Sequence, residues 1–168
     1  MAEVNTENES AGPPRSRPHS SHLALLAYCG LYCGACSLRV AAEENDQQHL
    51  ADIPAKYNYL KEQELSLCPG CKADDENDEC AIKNCARGKG FVHCGECADY
   101  PCAEIKRFAG DGIPHHAEII DNLDALKRVG AEAWLADQAS RWQCSCGARL
   151  SWYARICPTC GPRSAPRG

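Results

Sequence analysis

Fourteen cysteines stand against two phenylalanines and one methionine in 168 residues, one long stretch of helical periodicity holds no cysteine, and four cysteines close the chain in two tight pairs. Together these predict a small metal-stabilised fold, mainly α-helical with irregular cysteine turns, ending in a zinc-ribbon-like β element. A core so poor in large side chains needs staples, either disulfides or metals. Disulfides require an oxidising compartment. The first 21 residues carry no basic n-region, and the apolar run LALLAY at residues 23–28 is shorter than the roughly 7–15 residues of a signal-peptide core. No stretch approaches the ~20 apolar residues of a membrane span. The expectation is a soluble cytoplasmic protein with reduced thiols and no membrane attachment.

Residues 1–21 have almost nothing apolar to bury and read as a disordered tail. Residues 27–109 form the cysteine-rich domain. Within it a helix is expected from Cys33–Cys36 to about Leu50, burying Leu38, Ala42 and Leu50. A helix that starts just after a cysteine pair aims free N–H groups at the sulfurs and favours thiolate there. CPGC and CGEC read as turns, and PCAEIKRF as a short helix entered at Pro101.

Residues 110–142 read as a helical hairpin. Pro114 suits a first turn, and Ile119, Ile120, Leu123, Leu126 and Val129 recur at helical spacing up to Gly130, a stop signal. A second helix carries Trp134, Leu135 and Gln138 towards Trp142. His115 and His116 lie outside any H-x3-H pattern and read as capping or surface groups rather than ligands. Residues 143–161 hold the ribbon-like segment, and 162–168 a second disordered tail.

The ribbon is the most specific chemical signal. Cys144 and Cys146 face Cys157 and Cys160 across ten residues containing Leu150, Trp152 and Tyr153. Four thiolates in two turns suit the closed tetrahedral cage of structural zinc. The first pair is C-x-C, one residue short of the usual knuckle, which predicts an unusual approach of Cys144.

Ten cysteines fill the first domain: Cys29, Cys33, Cys36, Cys68, Cys71, Cys80, Cys85, Cys94, Cys97 and Cys102. Cys33/Cys36, Cys68/Cys71 and Cys94/Cys97 are C-x2-C pairs, a spacing that lets two sulfurs reach one ion. The phrases YCGLYCGAC, CPGC, CAIKNCARGKG and CGECADYPC, in this order, resemble the DUF3795 family of small cysteine-rich proteins over about residues 27–108. The resemblance implies metal binding and no particular reaction.

Cys29, Cys33 and Cys36 also match the C-x3-C-x2-C loop of radical S-adenosylmethionine enzymes. Those need a long strand–helix alternation, which is absent here. With one more cysteine the same three could hold a 4Fe–4S cluster. Glycine-bearing C-x2-C turns favour zinc, two or three ions in all, and iron–sulfur stays open as the alternative. Closeness in sequence groups Cys68, Cys71, Cys80 and Cys85 on one ion and Cys33, Cys36, Cys94 and Cys97 on another, with Cys29 and Cys102 spare.

Other signals are weaker. CGEC lacks the β-α-β surroundings of a redox dithiol, Gly88 and Gly90 lack a phosphate-loop context, and the acidic run at residues 74–79 is not spaced as a calcium loop. His93 beside Cys94 is adjacency rather than catalytic geometry. No catalytic residue is assigned. Net charge is −5, and residues 141–168 carry five arginines and no acid. Trp142, Trp152 and Tyr153 would be the stacking groups if that end bound nucleic acid. The acidic remainder argues against it and for a protein partner.

Overall fold

The computed structural model describes residues 22–65, 67–68, 70–72, 79–157 and 159–161. Both expected tails, Pro69, most of the acidic run, Arg163 and Arg167 lie outside them. Five α-helices follow in chain order: α1 Ser37–Glu44, α2 Ala81–Gly88, α3 Ala103–Ala109, α4 Ile119–Val129 and α5 Ala131–Arg141. Short 3-10 turns link them, including Cys33–Ala35, Gln47–Leu50, Cys94–Glu96 and Pro114–Glu118. The fold is mainly helical, and no helix among the described residues is long and apolar enough to cross a membrane.

The first helix is shorter than its pattern suggested. Asn45 adopts a left-handed conformation (φ 52°) that closes α1, and its N–H caps the carbonyl of Ala41. Asp46 then accepts from the N–H of Gln48 and starts the 3-10 turn that carries Leu50 inward. The buried face is also displaced by one residue. Ser37, Val40 and Ala41 are buried, whereas Leu38 and Ala42 are only half-buried.

The cysteine-free hairpin follows its sequence closely. Gly130 (φ 82°) ends α4 with its N–H on the carbonyl of Leu126, and α5 starts at the next residue. Ile119, Leu123 and Leu126 are buried on α4, and Trp134, Leu135 and Gln138 on α5. Each large apolar side chain so buried contributes about 1.5–3 kcal/mol. These residues share one hydrophobic cluster with Leu26, Leu31, Ile82, Ile105, Cys144, Leu150 and Cys157, so the core runs from the start of the described chain to its end.

Gly30 (φ 88°) lets the first cysteine loop lie against α4: a Cβ there would meet Leu123 Cγ at 2.7 Å.

The C-terminal segment differs from the β ribbon expected of it. Among the described residues it has no strand, only isolated antiparallel bridges at Gln143–Arg149, Ser151–Ala154 and Cys157–Gly161. Its backbone pairs instead with the first domain: Trp152 N–H donates to the carbonyl of Ala35 at 3.0 Å, and Asp52 N–H to that of Tyr153 at 3.1 Å. Groups engaged this way are not free to extend a ladder.

Candidate metal centre

Cys144, Cys146, Cys157 and Cys160 come together as a closed group, with all four sulfurs within 4.8 Å of one another. Cys144 and Cys160 are 3.3 Å apart, Cys146 and Cys157 3.5 Å, and Cys160 lies 3.4 Å from both Cys146 and Cys157. A tetrahedral ion with Zn–S of about 2.3 Å places its sulfurs roughly 3.8 Å apart, so a small expansion accommodates it.

The shortened C-x-C pair is compensated locally. Gly147 (φ 89°) closes a turn with its N–H on the carbonyl of Cys144 at 2.8 Å, and Gly161 (φ 75°) does the same for Cys157 at 2.9 Å. Backbone N–H groups then polarise the sulfurs. That of Cys146 lowers the Cys144 thiol, and that of Cys160 brings Cys157 down to about 6. Cys160 rises to about 12 because it keeps the proton it shares with Cys144, Cys157 and Cys146. Thiolates beside a shared proton are a donor set that suits a divalent ion.

The first domain arranges its cysteines differently. Cys29, Cys33, Cys36, Cys68, Cys71 and Cys80 all line one cavity of about 220 Å³. The grouping expected from closeness in sequence is not what the fold places together. Cys33 hydrogen-bonds the thiol of Cys71, and Cys68 is a neighbour of Cys36. Cys85 is absent from this cavity because α2 starts directly after Cys80. Five helical positions rotate a side chain by roughly 140°, to the other side of the helix. Ile82 and Lys83 take the inward positions, and Cys85, exposed like Cys80, lies outside the cavity lining.

Burial dominates here. Cys29 is pushed up to about 12 by desolvation, against a backbone N–H from Leu31. Cys36 is also raised by burial, although the N–H groups of Arg39 and Leu38 at the start of α1 reach its sulfur. The expected helix-start assistance is present and is outweighed. Without a cation these thiols keep their protons.

Cys94 is surrounded instead by Cys102, Cys85, Cys97 and Cys80, and burial raises it to about 11. Lys89 donates to Cys97 at 3.5 Å. His93, 6 % exposed, has no hydrogen-bond partner for Nδ1 among the described residues.

The two hairpin histidines are neither caps nor surface groups. His116 is buried and pairs with Asp111 at 2.9 Å, and His115 stacks on Trp152 (centroids 3.9 Å) and hydrogen-bonds the hydroxyl of Tyr153 at 2.8 Å. Trp142 and Tyr153 are buried. Lys83 was not expected at the site. Its only sequence signal is a cation on the apolar side of a short amphipathic helix, beside Ile82.

No curated protein and no solved structure gives a significant match to the chain. A family model described as "Protein of unknown function (DUF3795)" matches residues 25–107, the segment that carries all ten cysteines of the first domain, which supports the family for that segment.

Proposed function

We propose that this is a zinc-stabilised cytoplasmic accessory protein that works by binding a protein partner rather than by catalysis. The observation that carries the metal reading is the closure of Cys144, Cys146, Cys157 and Cys160 to within 4.8 Å. A cage of four thiolates leaves no open coordination position, which is the property of a structural rather than a catalytic ion. Its knuckles pack into the core through Cys144 and Cys157, so the ion holds the end of the chain against the hairpin. Metal analysis of the chain purified without oxygen tests this. A colourless protein with at least two zinc ions and no iron is expected, and a cysteine cage that stays metal-free overturns the reading.

An iron–sulfur protein that transfers electrons or senses redox state is the second reading, favoured by the size of the six-cysteine cavity. Brown colour with iron and acid-labile sulfide would replace zinc by this alternative.

Nucleic acid is not the proposed partner. Arg149 is paired to Glu43 at 2.7 Å, and Arg141 and Arg155 lie 3.4 and 3.7 Å from Glu118. Paired arginines release few counterions. A DNA or RNA shift assay showing tight, steeply salt-dependent binding would contradict this.

A further inference from the structure

We propose that the cavity between α1, the 3-10 turn Ala55–Lys61 and the start of the hairpin binds a small planar heterocycle by its lactam edge, an N–H beside a C=O, with His115 and His116 as the two polar contacts. The inference does not rest on the metal reading: of the cysteines, Cys36 alone is part of this cavity's lining.

Size and lining set the shape of the guest. The cavity measures about 280 Å³. A cavity of about 150 Å³ takes benzene, so this one has room for two fused rings. Ile53, Leu60 and Ile113 supply apolar wall, and Tyr57 and Trp152 add aromatic surface against which a flat guest packs well.

The polar contacts set its edge. His115 and His116 both line the cavity, with ring centroids 4.4 Å apart and planes at 74°. Each ring is held at Nδ1, His115 by the hydroxyl of Tyr153 at 2.8 Å and His116 by Asp111 at 2.9 Å. Neither Nε2 has a hydrogen-bond partner among the described residues.

The two anchors select opposite tautomers. A carboxylate only accepts, so the neutral His116 ring carries its proton on Nδ1 and offers Nε2 as an acceptor. Burial raises the Tyr153 hydroxyl, which keeps its proton, and holds His115 neutral by pulling it down to about 3. A phenol donates more readily than it accepts, so Tyr153 donates to Nδ1 and His115 keeps its own proton on Nε2 as a donor. One acceptor beside one donor complements the N–H and C=O of a lactam. Rings already fixed by their partners lose little freedom when they bind it.

The test titrates quinazolin-4-one, two fused rings with one lactam edge, into the intact wild-type chain at about pH 8, above the ordinary imidazole range. Saturable binding that shifts the ring C–H signals of His115 and His116 in NMR spectra is expected. Methylating the lactam nitrogen should weaken binding about tenfold, the scale of leaving one acceptor unpaired. Naphthalene, the same shape without the edge, should bind more weakly still. Leu60→Trp fills the cavity and should abolish binding while keeping the circular dichroism of the wild type. Naphthalene binding as tightly as the lactam would make the cavity a receptor for an apolar side chain and overturn the assigned edge. No saturable shift at the two histidines, or undiminished binding to a folded Leu60→Trp chain, would overturn the site.

Discussion

Ser37 and Ser151, 114 residues apart in the chain, meet in the core with their hydroxyl oxygens 3.0 Å apart. The same Ser37 oxygen accepts from the N–H of Tyr153 at 2.9 Å, and Ser151 contacts Nδ1 of His49 at 3.1 Å. One small hydroxyl thus ties the start of α1 to the segment that carries the four-cysteine cage. Ser37→Ala strands a buried N–H and should cost about 1–3 kcal/mol in denaturant unfolding. A change under half of that would mean the contact contributes little.

Gly30→Ala is expected to be among the most damaging single-atom additions. It forces a side chain into the left-handed region and against Leu123, where the added Cβ would lie 2.7 Å from Cγ. The backbone strain alone is about 1–3 kcal/mol. Thermal melting should fall by several degrees, and Leu123→Ala should recover part of the loss relative to its own background. No recovery in that double variant would place the damage in the backbone alone.

On the proposed zinc reading, Cys157→Ser should lower the metal content by one ion and also lower the cooperative melting of the whole fold. Cys157 is 1 % exposed within the cluster that contains Leu26, Ile119 and Trp134. The place of Cys157 within residues 143–161 by itself gives the expectation that this change loosens only that last segment. Two separate melting transitions, with only the smaller one moved, would restore that expectation.

His115 gives a pH dependence of defined sign. Burial first, and the neighbouring His116 second, hold it down to about 3 from an ordinary 6.5. Asp111 acts in the opposite direction. The folded state therefore keeps His115 neutral where the unfolded chain protonates it. Its contribution is fully present above 6.5 and is lost as pH falls towards about 3. His115→Asn should flatten the fall in stability below 6.5 relative to wild type, both measured by denaturant midpoints at matched pH. Parallel curves for the two proteins would sink this assignment.

The C-terminal four-cysteine group and the two helices that meet at Gly130 were legible in the sequence because their signals are local. Gly130 ends α4 through its own backbone freedom, and Cys144, Cys146, Cys157 and Cys160 lie close enough in sequence for two glycine turns to gather them. Which thiols share a site in the first domain was not legible, because that depends on where two distant segments dock. Sequence proximity grouped Cys68, Cys71, Cys80 and Cys85, but the fold sets Cys33 against Cys71 and leaves Cys85 outside the cavity that Cys80 lines. Asn45 ending α1, and the missing ribbon strands, have the same origin. Local propensity permits several backbone paths there, and the buried contacts of Ser37 with Ser151 and Tyr153 select among them. The sequence by itself determined which residues carry thiols and how far apart they stand along the chain. Only the tertiary structure decided which of them lie together, since long-range packing rather than chain proximity sets the distance between their sulfurs.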